Sequence, residues 1–192
     1  MPEKKISERF YLPDFMKPIA DELDGASERA TGLVAGAILD EALSSIIKLR
    51  LIEDAKITKE VFEGQGGLAT FSSKITVARL MNFYSDETYS DLNIIRKIRN
   101  DAAHATQPFS FSSQSTANRV RSLKVPEKHF FEPGTEPGHD VAAMFIDEVA
   151  EVKADPLLRY VGTAIFLTWN FTVWADQKPE RLRPQGLQTC AI

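Results

Sequence analysis

The chain has 192 residues, enough for one domain with a proper core. Hydrophobic content of 43% and charged content of 26% are those of an ordinary globular protein, so disordered and fibrous classes are excluded. Lysine and arginine number 23 against 27 aspartates and glutamates, a net charge of -4, which is not the basic footprint of a nucleic-acid binder.

Residues 1–12 read as a flexible charged arm, and residues 13–178 as a single all-helical domain. Pro13-Asp14 opens a short helix through about Asp24, with Phe15, Ile19 and Leu23 at helical spacing. Gly25 ends it, and Ser27 is an N-cap for the next helix. That helix is expected over about Glu28–Asp54. It is apolar almost all round, which marks a central element. Gly32 and Gly36 form a small-x-x-x-small pair that lets another backbone approach closely. Asp40 falls among Leu33, Gly36, Ile47 and Leu51 on the helical wheel. A carboxylate there needs a partner or a raised pKa.

A short helix follows over Ile57–Glu63, then a turn-rich loop, Gly64-Gln65-Gly66-Gly67. The loop is no phosphate-binding fingerprint, because no Gly-Lys-Ser/Thr follows. Thr70 or Ser72 caps a helix through about Phe83. Asp86 or Ser85 caps one that ends near His104.

This last helix carries the densest set of chemical residues. On a wheel of about 100° per residue, Leu92, Ile94, Ile95, Ile98 and Ala102 share one arc. Asn93, Arg96, Lys97, Asn100, Asp101 and His104 share the other. Arg99 sits at the edge of the apolar arc. It cannot shed its charge, so it needs an acidic partner or a ligand.

Beyond it, Ser115–Lys124 reads as a helix. Arg119, Arg121 and Lys124 make a small basic cluster near Lys128, most simply a solvated face. Prolines and glycines from Pro126 to Gly138 mark a loop, and a helix is expected over Val141–Val152. Asp155-Pro156 starts the last helix, with Asp as N-cap and Pro at the first helical position. Tyr160 to Ala175 contains no charge and is the one apparent membrane-span candidate. At 16 residues with Thr163, Thr168, Asn170 and Thr172 it reads better as a core helix, because a span needs about 20 apolar residues. Its aromatics Phe166, Trp169, Phe171 and Trp174 are expected in the core rather than around a ligand. Residues 179–192 read as a mobile tail. The fold class is therefore all-α, one bundle of seven or eight helices.

Arg99-Asn100-x-x-x-His104 closing an apolar helix resembles the R-N-x-x-x-H signature of HEPN-like helical domains. Gly64 to Ile75 leads into that helix. Glu28-Arg29-Ala30 and Ala37 to Leu43 lie further back. In this order the chain resembles the mannitol operon repressor family (MltR-like proteins) over roughly residues 27–125. That family carries a similar Gly-x-Leu-x-x-Phe-Ser-x-Lys-Ile segment before its Ile-Arg-x-Ile-Arg-Asn-x-x-Ala-His. Gly66-Gly67-Leu68 stands where Gly-Pro-Leu is commoner in the family.

The resemblance implies a cytoplasmic negative regulator of transcription, of a sugar-alcohol operon. No helix-turn-helix stands out, so action through a protein partner is expected rather than specific DNA binding. The alternative it implies is a metal-independent HEPN-type endoribonuclease of the toxin or defence kind. Arg99 would hold the phosphate, His104 would move the proton, and Asn100 would complete the motif. RNA is a partner only under that alternative. Five residues turn a helix by about 500°, so Arg99 and His104 point about 140° apart. They converge only if the helix loosens before His104 or if a homodimer supplies both. The structural expectation is a polar core of Asp40, Glu41, Arg96, Arg99, Asn100 and His104. In it Arg99 pairs with Asp40 or Glu41, and Asn100 and His104 form a ladder at the helix end.

Three histidines and one cysteine, with no His-x-x-x-His, predict no metal site and no cofactor. The lone Cys190 has no internal disulfide partner, which fits a reducing compartment.

Overall fold

The computed structural model describes residues 5–10, 12, 14–131 and 149–176. Ten α-helices lie among them, with no β-strand. They are α1 (Ile6–Arg9), α2 (Lys17–Leu23, entered through a 3-10 turn at Asp14–Met16), α3 (Glu28–Lys48) and α4 (Ala55–Phe62). Then come α5 (Phe71–Leu80), α6 (Asp86–His104), α7 (Gln114–Arg121) and the three-residue α8 (Lys124–Pro126), which runs into a π-turn at Glu127–Phe131. Finally there are α9 (Val149–Ala154) and α10 (Pro156–Asp176). The all-α class holds, and seven of these helices have seven residues or more.

Local chemistry sets most of the starts. The Ser27 hydroxyl accepts from Ala30 N at 3.2 Å, and Thr70 Oγ1 from Ser73 N at 3.1 Å. The Ser85 hydroxyl accepts from Thr88 N at 3.4 Å. Asp155 Oδ1 takes Leu157 N at 2.7 Å. Each supplies an acceptor to backbone N–H groups that a helix start leaves unpaired. Helix α3 stops at Lys48, short of the expected Asp54. Asp54 is taken by α4, where its carboxylate caps Ile57 N at 2.9 Å.

The bundle is built around α3, which packs along α10 on one side and against α6 and α5 on the other. Leu39, Leu43, Ile46 and Ile47 of α3 are buried against a core that includes Ile75, Leu92, Ile95, Ile98 and Val161. Burying each such side chain contributes about 1.5–3 kcal/mol. The Tyr160 hydroxyl, fully buried on α10, donates to Gly32 O of α3 at 3.0 Å and ties the two helices together.

Two expectations change. Among the described residues, the helix long and apolar enough to cross a membrane is α3 rather than Tyr160–Ala175, and half of the apolar stretch of α3 is buried inside the bundle. The arm expected over residues 1–12 contains α1, whose Ile6 is buried, as is Phe10 just after it. The Asp24 carboxylate accepts from both Ile6 N and the Ser7 hydroxyl, which fastens α1 to the end of α2. The tail at 179–192 and most of the helix expected at 141–152 lie outside the described residues.

Candidate functional site

The glycine pair of α3 faces α6. A Cβ on Gly32 would stand 3.2 Å from Ala102 Cβ, and one on Gly36 would stand 2.6 Å from Arg99 Cγ. One turn earlier, Arg29 Nη2 donates to Ala103 O at 3.0 Å. Ascending positions on α3 thus meet descending positions on α6, so the helices run antiparallel along a narrow seam. The organising helix of the sequence is held there by small residues, which is why its Arg99 can lie so close to the α3 backbone.

Arg99 does not pair with Asp40, contrary to expectation. Asp40 Oδ1 is held by Lys74 Nζ of α5 at 2.7 Å, with the Lys74 side chain only 9% exposed. Glu41 is exposed and makes no bond to Arg99. The Arg99 guanidinium donates instead to the neighbouring Asn100 Oδ1 at 3.2 Å. Arg96, half-buried one turn earlier, has a buried Nε with no acceptor. His104 is exposed at the last residue of α6, and no ladder joins it to Asn100. Arg29, not His104, serves a carbonyl at the end of that helix.

Of the expected polar core, Arg96, Arg99 and Asn100 come together on one stretch of α6. Asp40 lies across α3 with Lys74, while Glu41 and His104 face solvent. Helix α6 is unbroken to His104. The loosening that would bring Arg99 and His104 onto one phosphate is therefore absent within a single chain.

Two buried charges were missed. Asp91, with no exposed surface, accepts from Lys124 N at 2.9 Å and Val125 N at 2.7 Å, and so docks α8 onto α6. Burial pushes its carboxyl above the ordinary value, while those two backbone N–H groups pull the other way. Arg159 donates to Val120 O at 3.1 Å, Arg121 O at 3.1 Å and Leu123 O at 2.8 Å, and pairs with Glu127 at 2.8 Å. It closes the C-terminal end of α7. Its one signal in the sequence is an arginine abutting the uncharged run that starts at Tyr160.

The basic cluster of α7, expected as a solvated face, is partly engaged by neighbouring side chains. Arg119 is bound to Asp101, and Arg121 donates to Asn118 Oδ1 at 3.2 Å. Phe166 and Phe171 are buried core residues. With Phe83, Tyr84, His129 and Trp169 they also line an open cavity of about 400 Å³. His129 stacks on Phe166 at 5.2 Å, and burial lowers its pKa. The Trp174 side chain lies outside the described residues. Among the described residues no three His, Cys, Asp or Glu side chains gather as a metal site would require.

Fold and seam together define an all-helical bundle whose glycine-lined central helix is clasped by an antiparallel partner. A solved structure of the same architecture is that of the MtlR-HPr complex from Escherichia coli. The match has a TM-score of 0.60 at 16% sequence identity and covers 83% of this chain and 99% of that chain. At that identity the likeness shows a shared fold. No protein-family model and no curated protein matches the sequence.

Proposed function

We propose that this protein is a cytoplasmic negative regulator of transcription of the mannitol operon repressor type, acting through a protein partner rather than by specific DNA binding. The fold likeness carries the proposal: it extends over 99% of a chain, MtlR, that was solved bound to the protein HPr. The residues support the second half. The net charge of -4 opposes a polyanion. On the short basic helix α7, Thr116, Ala117 and Val120 are buried, and Arg119 is engaged by Asp101. The exposed face of α7, Gln114, Ser115, Asn118 and Arg121, carries a single charge, little to hold a duplex by its phosphates.

The test is a calorimetric titration of the protein with purified HPr, beside a duplex-binding series at physiological salt. Saturable binding of HPr is expected, with weak and sequence-independent DNA binding that falls away as salt rises. Nanomolar binding to one operator, lost on a scrambled duplex and accompanied by no response to HPr, would sink the proposal.

A further inference from the structure

The open cavity of about 400 Å³ lies where α10, the π-turn, the start of α6 and α3 meet. Among its described lining residues there is no aspartate, glutamate, lysine or arginine, in a chain that is 26% charged. Two larger clefts differ. One of about 970 Å³ beside α1 has Lys5, Arg9, Asp21 and Asp24 in its walls, and one of about 540 Å³ beside α4 has Lys48, Glu53, Asp54 and Lys59. Five residues of the uncharged cavity are aromatic: Phe83, Tyr84, Phe166, Trp169 and Phe171. Tyr84 and Phe171 pack at 5.9 Å between ring centroids. The Tyr84 hydroxyl is spent on Ile75 O at 2.5 Å, so what that residue has left to offer is its ring. A filled core leaves few voids larger than a water molecule, so rings around an open space are not simply core packing.

Three polar groups in the same lining have hydrogen-bonding capacity left. The His129 ring is half-buried against Phe166 and makes no hydrogen bond among the described residues. Burial, and then the neighbouring Lys128, lower its pKa from the ordinary value, while Glu87 opposes them. At pH 7 the ring is therefore neutral, with one donor and one acceptor. Asn170 spends its Nδ2 on Phe166 O at 2.8 Å, one turn back, which leaves its Oδ1 as an acceptor. Thr88 adds a hydroxyl. Glu87 and Lys128 pair with each other at 3.6 Å, and Arg50 lies over the Phe83 ring at 5.9 Å; none of these three is among the lining residues.

We propose that this cavity is a binding site for an uncharged aromatic molecule of one or two rings, seated against the aromatic walls with a polar group hydrogen-bonded to His129. Offset and edge-to-face ring contacts favour an aromatic guest over a saturated one. An ionised guest would leave water and meet no counter-charge in the walls. The size suits as well: small-molecule sites run from about 300 to 1,000 Å³ and join apolar walls to a few polar groups. The site does not rest on the regulator reading, though it would give such a regulator a place for a small effector.

The test is an NMR titration of the isotope-labelled full chain at pH 7 with four probes of one size: 2-naphthol, naphthalene, 2-naphthoate and the saturated alcohol 2-decalol. Saturable shifts are expected for 2-naphthol at the amides of Thr88, His129 and Asn170. The naphthoate anion should bind about tenfold or more weaker, and decalol weaker than naphthol. His129→Phe keeps a ring on Phe166 but removes both nitrogens. It should weaken 2-naphthol about threefold to tenfold and leave naphthalene, which has no hydroxyl, bound as in the parent. Should that variant fail to fold by circular dichroism, His129→Leu takes its place. Four results would each overturn the proposal: no saturable shifts at those residues, naphthoate bound as tightly as naphthol, decalol bound as tightly as naphthol, or a variant that loses naphthol and naphthalene equally.

Discussion

Arg99 lies across Gly36: a Cβ at position 36 would stand 2.6 Å from Cγ and 2.9 Å from Cβ of the arginine. These are the first atoms of the side chain, next to the α6 backbone, so they cannot swing aside as a flexible tip would. Glycine at 36 is therefore what lets a charged residue sit at the tightest point between the two central helices.

Gly36→Ala should accordingly destabilise the protein. Overpacking costs about 1–3 kcal/mol. The higher helix propensity of alanine returns up to about 1 kcal/mol. Adding Arg99→Ala removes the obstructing stem, so the double variant should be more stable than Gly36→Ala alone. Thermal melting of the three variants checks this; strictly additive losses would show that the two residues do not meet. Gly32→Ala should be milder, because its Cβ would stand no nearer than 3.2 Å to any atom, Ala102 Cβ, with Phe109 and Phe111 at ordinary contact distance.

The ion pair that buries Asp40 gives a second expectation. Breaking a fully buried pair costs about 3–5 kcal/mol, and Asp40 keeps 26% of its side chain exposed. Lys74→Met should cost roughly 1–3 kcal/mol on that scale. Asp40→Asn added to Lys74→Met should cost little more. Asp40→Asn and Arg99→Met should instead add independently. Urea unfolding of both cycles decides which cation Asp40 serves.

These two pairs show what the sequence made legible. The helix starts were, because Ser27, Thr70, Ser85 and Asp155 act on N–H groups two or three residues away. The close approach at Gly32 and Gly36 was, because small residues four apart fall on one face. The partner of Asp40 was not. A helical wheel says that Arg99 and Asp40 both fall on apolar faces, but not that α5 delivers Lys74 to Asp40 first. Asp91 and Arg159 were hidden for another reason. Both satisfy mainly backbone groups at α7 and α8, which carry no mark in the sequence, and the one carboxylate that Arg159 also meets, Glu127, is 32 residues away.

Asp91 makes stability depend on pH in a defined direction. Burial raises its carboxyl in the folded protein above the ordinary carboxylate value. The folded state then holds that proton more tightly than the unfolded chain does. The contribution is fully present below the unfolded value and is lost as pH rises through the raised folded one. The stability of the parent minus that of Asp91→Asn should therefore grow as pH falls from neutral into the acid range. Paired urea titrations across that range check it. A difference that stays flat or shrinks towards acid would mean that the N–H groups of Lys124 and Val125 outweigh burial.

The last expectation concerns Arg99 and His104. Helix α6 runs without a break from Asp86 to His104. The Arg99 stem is pinned on Gly36 and its head bonded to Asn100, while His104 stands exposed at the helix end. Catalysis of RNA cleavage needs both groups within hydrogen-bond reach of one phosphate. Five residues along a continuous helix turn them about 140° apart. The purified protein should therefore leave single-stranded RNA intact in EDTA, with His104→Ala indistinguishable from the parent. Cleavage by the parent that disappears in His104→Ala would mean that a second chain supplies the missing half of the site. Size-exclusion chromatography coupled to light scattering would then have to show a dimer at the concentrations that cut.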